Sequence, residues 1–152
     1  MKTKTLRSLS LGVIALAGQF GVRITVEQLE KKISQGQIAS EKELKNTLKE
    51  QGVKVQRLKP SIKTLIDRSY YFPCVALMRD GTARILISCK LNEKNIVEFQ
   101  SMDPLDPTNK INVENDTEFK RKWAGSVYLI SSETGIASQD RAFDWTWFIP
   151  EL

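Results

Sequence analysis

Apolar residues Leu6, Leu9, Val13, Leu16 and Phe20 recur at spacings of three and four, the pattern of a helix with one continuous apolar stripe. Gly21 ends that stretch. Thr25 can cap a second helix, whose Val26, Leu29 and Ile33 face one way while Glu27, Glu30, Lys31 and Lys32 face the other. Ser40 followed by Glu43 reads as a capping box, opening a third helix through Leu44 and Leu48 to Glu50, with Gly52 as its left-handed stop. Val53, Val55 and Leu58 form a half-buried strand, and Ser61 caps a brief helical turn through Ile62, Leu65 and Ile66. The second half alternates with the period of strands. Pro73 to Met78 is a short apolar strand, Asp80-Gly81 a hairpin turn and Arg84 to Cys89 its partner. After a turn at Asn92 to Asn95, Ile96 to Phe99 completes a three-stranded meander. Lys110 to Val113 is a further strand, Asp116 can cap a helical turn that runs through Phe119 to Trp123, and Val127 to Ile130 is the last strand. Helices first and an antiparallel sheet second predict a single α+β domain over residues 1–130.

Residues 131–142 lack apolar periodicity and read as a linker, and residues 143–152, FDWTWFIPEL, are dominated by aromatics. Trp and Phe beside a proline and an acidic residue suit a membrane interface, so this segment is expected to lead into a membrane-embedded region. The competing reading is a C-terminal strand tucked into the domain's own core. The opposite end is also double-edged. Lys2, Lys4 and Arg7 precede an apolar run from Leu9 to Ala17, and Ala15-Leu16-Ala17 imitates a secretory cleavage site. The residues alone leave an export signal and a first core helix both open, although Ser8 and Ser10 interrupt the run and the stripe continues to Val22.

Charge divides the chain. Residues 1–70 hold fourteen Lys and Arg against six Asp and Glu, whereas residues 71–152 hold nine against twelve. A basic half can meet nucleic acid, anionic lipid or an acidic protein. Acidic neighbours interleave with the lysines, as on a solvated helix face, and no nucleic-acid-binding signature is present, so no nucleic-acid partner is expected. Cys74 and Cys89 lie in separate apolar runs without CxxC spacing, which favours two free thiols over a disulfide. The sequence contains no histidine. That removes Ser-His-Asp and Cys-His catalysis and His-ligated zinc or haem, and no metal site is expected.

The closing FDWTWFIPEL, together with Leu11 to Leu29, Phe72 to Ile87 with its ALMRDG, and Glu118 to Ile130, resembles the N-terminal domain of haemolysin-type (type I secretion) ABC transporters. That domain is related to the bacteriocin-processing, double-glycine cysteine peptidases, and the resemblance implies their papain-like fold. In the active peptidases a cysteine thiolate starts the first helix, a histidine follows the Asp-Gly turn, an aspartate before proline orients it, and an upstream glutamine completes the oxyanion hole. Here Ser8 stands at the nucleophile position, Thr82 and Ala83 follow Asp80-Gly81, Asp103-Pro104 keeps the aspartate, and no glutamine precedes Gln19.

The resemblance therefore implies a catalytically inactive domain on the cytoplasmic face of the bacterial inner membrane, its first segment a core helix and not a signal. The implied partners are an unfolded RTX-type toxin or adhesin, the transporter's own membrane and nucleotide-binding domains, and a membrane fusion protein. No cofactor is expected in this domain; ATP and Mg are expected in the nucleotide-binding domain, since no Walker motif occurs here. Candidate substrate-binding residues are the aromatic run Tyr70, Tyr71 and Phe72, which a hydrophobic core could equally claim, and the basic Lys42, Lys45 and Lys49. The alternatives are an active double-glycine leader peptidase, an exported binding protein, or a module regulating the transporter's ATPase.

Overall fold

The computed structural model describes residues 3–18, 24–68 and 71–132. Along the chain these form α1 (Thr3–Ala17), α2 (Val26–Ser34), α3 (Glu41–Lys49), β1 (Val53–Leu58), α4 (Ile62–Asp67), β2 (Cys74–Met78), β3 (Ala83–Leu91), β4 (Val97–Met102), β5 (Ile111–Asn115), α5 (Asp116–Lys122) and β6 (Trp123–Ser132). The strands make one six-stranded sheet in the order β1-β6-β2-β3-β4-β5, and every pairing is antiparallel. The α+β expectation holds, and β2 to β5 extend the expected meander by one strand.

The two faces of the sheet carry separate cores because successive strand side chains point to opposite sides. On β2, Val75 joins one cluster with Leu6, Leu9, Val13 and Leu16 of α1, Leu29 of α2, and Leu44 and Leu48 of α3. Its neighbours Cys74 and Ala76 join the other, with Leu65 of α4 and Phe119 of α5. Phe119 stacks between Phe99 and Trp123, at centroid distances of 4.4 and 5.6 Å, which fastens α5 to its face.

The segment that imitates an export signal is the central helix of the first core, with Leu9 and Val13 fully buried. The helix starts behave largely as their sequences predict. Thr25 and Gln28 form a reciprocal capping box, and the Ser40 and Ser61 hydroxyls accept the N–H groups of Glu43 and Thr64. One cap is corrected: Asn115, not Asp116, precedes α5 and accepts the Glu118 N–H at 2.8 Å, because Asp116 is already inside the helix. Ser131 and Ser132 belong to β6, paired with Lys54 and Val53, so the sheet takes in the first two residues of the expected linker. The rest of that linker and the aromatic segment 143–152 lie outside the described residues, as do Phe20 and Gly21. Among the described residues no helix is long and apolar enough to cross a membrane.

Candidate functional site

The hairpin between β2 and β3 and the N-terminal half of α1 come together at one end of the sheet. Gly81 adopts φ +87°, and a Cβ there would stand 2.9 Å from the Thr5 hydroxyl of α1, so the turn needs glycine for both conformation and clearance. Asp80 closes the turn by accepting the Thr82 N–H at 2.9 Å and the Thr82 hydroxyl at 2.6 Å. Those two hydrogen bonds hold its carboxyl below the usual carboxylate range.

Directly beneath lies Ser8. Its Oγ accepts the Ala83 N–H at 2.8 Å and donates to the Ala83 carbonyl at 3.2 Å, and both residues are fully buried. The fold thus joins two of the positions that the resemblance singles out: Ser8 touches Ala83, one of the two residues that follow Asp80-Gly81. Their chemistry is different from a nucleophile and its base. The hydroxyl stands in for a neighbouring strand, satisfying both main-chain groups of Ala83. Ser8 also lies in the second turn of α1 and not at its start, so the surrounding N–H groups are committed to the helix ladder.

Asp103 follows Met102, the last residue of β4, which pairs with Ile85 of β3. The Asp103 carboxylate accepts the Leu105 N–H at 2.9 Å and its carbonyl accepts the Asp106 N–H at 3.1 Å, which closes the turn after β4. Both cysteines are free. Burial pushes the Cys74 thiol far above its usual range, and burial, with the Asp116 carboxylate adding to it, takes half-buried Cys89 up to about 11. Among the described residues no group of three carboxylates or thiols converges on a metal-sized site.

Beside the Ser8–Ala83 contact, an apolar cleft of about 260 Å³ runs between Leu11, Ile14 and Ala15 of α1 and the Ile85, Met102 and Pro104 side. The period of α1 placed one stripe in the core. The signal for the cleft was the second set of apolar residues, on the arc left outside that stripe. A larger hollow of about 520 Å³ between α2 and α3 is polar, lined by Gln28, Gln35, Gln51 and Lys31, and none of the peptidase-like positions reaches it.

The other candidate residues do not form one surface. Lys42, Lys45 and Lys49 follow a spacing of three and four on α3, whose Leu44 and Leu48 pack on the α1 face of the sheet. Lys42 and Lys49 are exposed and make no ion pair among the described residues, whereas Lys45 approaches Glu41 at 3.8 Å. Glu41 also accepts from Arg57 at 3.3 Å and from the Tyr128 hydroxyl, tying α3 to β1 and β6. Tyr71 and Phe72 are half-buried against the opposite core, and Tyr70 lies outside the described residues. The sheet thus separates the aromatic pair from the lysines.

Comparison with known proteins bears on the fold. Alpha-hemolysin translocation ATP-binding protein HlyB of Escherichia coli is 28% identical over 102 residues, 66% of this chain but 13% of that protein, so the chain spans a small part of the curated relative it matches. Three solved domains share the fold. A double glycine motif protease from an AMS/PCAT transporter, crystallised with the leader peptide, superimposes with a TM-score of 0.62 at 13% identity, covering 83% of this chain and 85% of its own. The peptidase domain of Streptococcus ComA, a bi-functional ABC transporter, gives 0.62 at 18% identity, covering 84% and 93%. The N-terminal peptidase C39-like domain of a toxin secretion ATP-binding protein from Vibrio parahaemolyticus gives 0.59 at 16% identity, covering 87% and 98%. The sequence model of the peptidase C39 family matches residues 7–135, a span that takes in Ser8, Ala83, Asp103 and every strand of the sheet, and the chain belongs to that family.

Proposed function

We propose that this domain holds an unfolded secreted polypeptide without cutting it, as part of a type I secretion ABC transporter. The observation that carries the reading is the Ser8 hydroxyl, fully buried and engaged by both main-chain groups of Ala83 in a chain without histidine. A serine becomes a nucleophile when a base takes its proton. Here the nearest partner of that proton is a peptide carbonyl, which cannot accept it. Loss of a triad's base alone typically costs several orders of magnitude in rate. The cysteines offer no substitute, since desolvation keeps both thiols protonated at neutral pH.

Binding is the task the remaining surface suits. The apolar cleft beside α1 can take the apolar side chains of an extended chain, and the basic α3 face attracts an acidic one at a distance. RTX-type polypeptides are acidic and unfolded without calcium, which fits both features, and HlyB's role in alpha-hemolysin translocation favours that substrate class. Tyr71 and Phe72, on the other face, are a second, aromatic contact in this reading, with Tyr70 preceding them in the sequence. ATP and Mg act in the nucleotide-binding domain of the full transporter at the cytoplasmic face of the inner membrane, with a membrane fusion protein as a further partner.

The test is incubation of the chain with a synthetic double-glycine leader peptide, followed by mass spectrometry beside an active peptidase of the family. The proposal expects the peptide to be recovered intact. A product ending in the double glycine would overturn it.

A further inference from the structure

We propose that the outer edge of β1 receives an extended, acidic segment of the partner polypeptide as a seventh strand; this rests on the docking reading above. The sheet order leaves β1 at an edge, and among the described residues no strand or loop backbone bonds its outward N–H and C=O groups. Such an edge recognises the main chain of any extended peptide, whatever its side chains. That generality is what a carrier of unfolded polypeptides needs.

Charge selects the partner. Residues 53–63 hold four lysines and arginines (Lys54, Arg57, Lys59 and Lys63) and no acidic residue. Lys54, Lys59 and Lys63 are exposed, and none makes an ion pair among the described residues. Val53 and Val55 are anchored in the core with α3, so the edge is rigid before anything binds. Two copies of so basic an edge repel each other, and a strand rich in Asp and Glu is drawn in. The other edge, β5, lacks this bias: its Glu114 is bound by Arg84 and Lys122, and Val113 is exposed.

The experiment uses the 152-residue chain and a calcium-free RTX-repeat polypeptide as probe, with residue-resolved amide hydrogen exchange and a binding titration. The expected result is that every second amide of Val53–Leu58 gains protection while those of Ile111–Asn115 do not. Lys54→Glu with Lys59→Glu should weaken binding about tenfold, and more than Lys42→Glu with Lys49→Glu, a pair of equal charge change on α3. Binding that protects residues away from β1, or that responds equally to the two double variants, overturns the edge assignment and leaves the docking reading standing. No binding of the probe at all overturns both.

Discussion

Replacing Ser8 by alanine should destabilise the domain well beyond what loss of one surface hydroxyl would do. The hydroxyl meets the Ala83 N–H at 2.8 Å and its carbonyl at 3.2 Å, with both residues at 0% exposure. Alanine leaves a buried donor and a buried acceptor without partners, and each orphaned group costs about 1–3 kcal/mol. The shorter bond weighs more, and the sum is about 3 kcal/mol. At a urea slope of roughly 2 kcal/mol/M this lowers the unfolding midpoint by about 1.5 M. The melting temperature should fall by about 6–12 °C for a domain of this size. Urea titration followed by tryptophan fluorescence measures the first, and amide exchange at Ala83, which should accelerate in the variant, locates the cause. A loss below about 0.5 kcal/mol with unchanged exchange at Ala83 would mean that the Ser8 hydroxyl is not engaged as a structural tie.

Three further outcomes are expected. Glu114 is nearly buried between Arg84 at 2.7 Å and Lys122 at 2.6 Å, and Glu114→Ala should cost about 1–2 kcal/mol in the same titration, since both cations keep some contact with water. Asp80 has its folded pKa depressed by the Thr82 hydrogen bonds, so its contribution is complete above the unfolded carboxylate value of about 3.9 and is lost as pH falls through the folded value. The stability gap between wild type and Asp80→Asn should therefore be constant from about pH 5 upward and close below about pH 4. A thiol reagent at pH 8 should label the native protein slowly and at Cys89 alone, faster as pH rises toward about 11, and Cys89→Ser should abolish the reaction.

The elements were largely legible because each is announced locally: Thr25, Ser40 and Ser61 before apolar periods, Asp80-Gly81 between alternating runs. Strand order was not, because it depends on which distant runs share a face. Nothing in residues 53–58 announces β6 as their partner, and without that pairing the lysines of α3 and the aromatic pair Tyr71 and Phe72 cannot be assigned to opposite faces. The Arg84–Glu114–Lys122 cluster was missed for the same reason, since three separate elements must meet to form it. At the site, the resemblance singled out Ser8 on one side and Thr82 with Ala83 on the other, and the fold brings Ser8 against Ala83 across 75 residues. What it did not reveal was that Ser8 sits inside a helix turn. The apolar run that imitated an export signal has a physical explanation: α1 carries one apolar arc for the core and a second that lines the cleft.

Binding without cleavage is the behaviour proposed for this peptidase C39 domain. It is tested most directly by titrating the chain with one RTX-repeat polypeptide, first without calcium and then with it, at two salt concentrations, and weighing the polypeptide afterwards by mass spectrometry. The expected result is binding of the calcium-free, unfolded form only, weaker at the higher salt, with the polypeptide recovered at its full mass. Equal affinity for the folded form, indifference to salt, or a shortened polypeptide would contradict it.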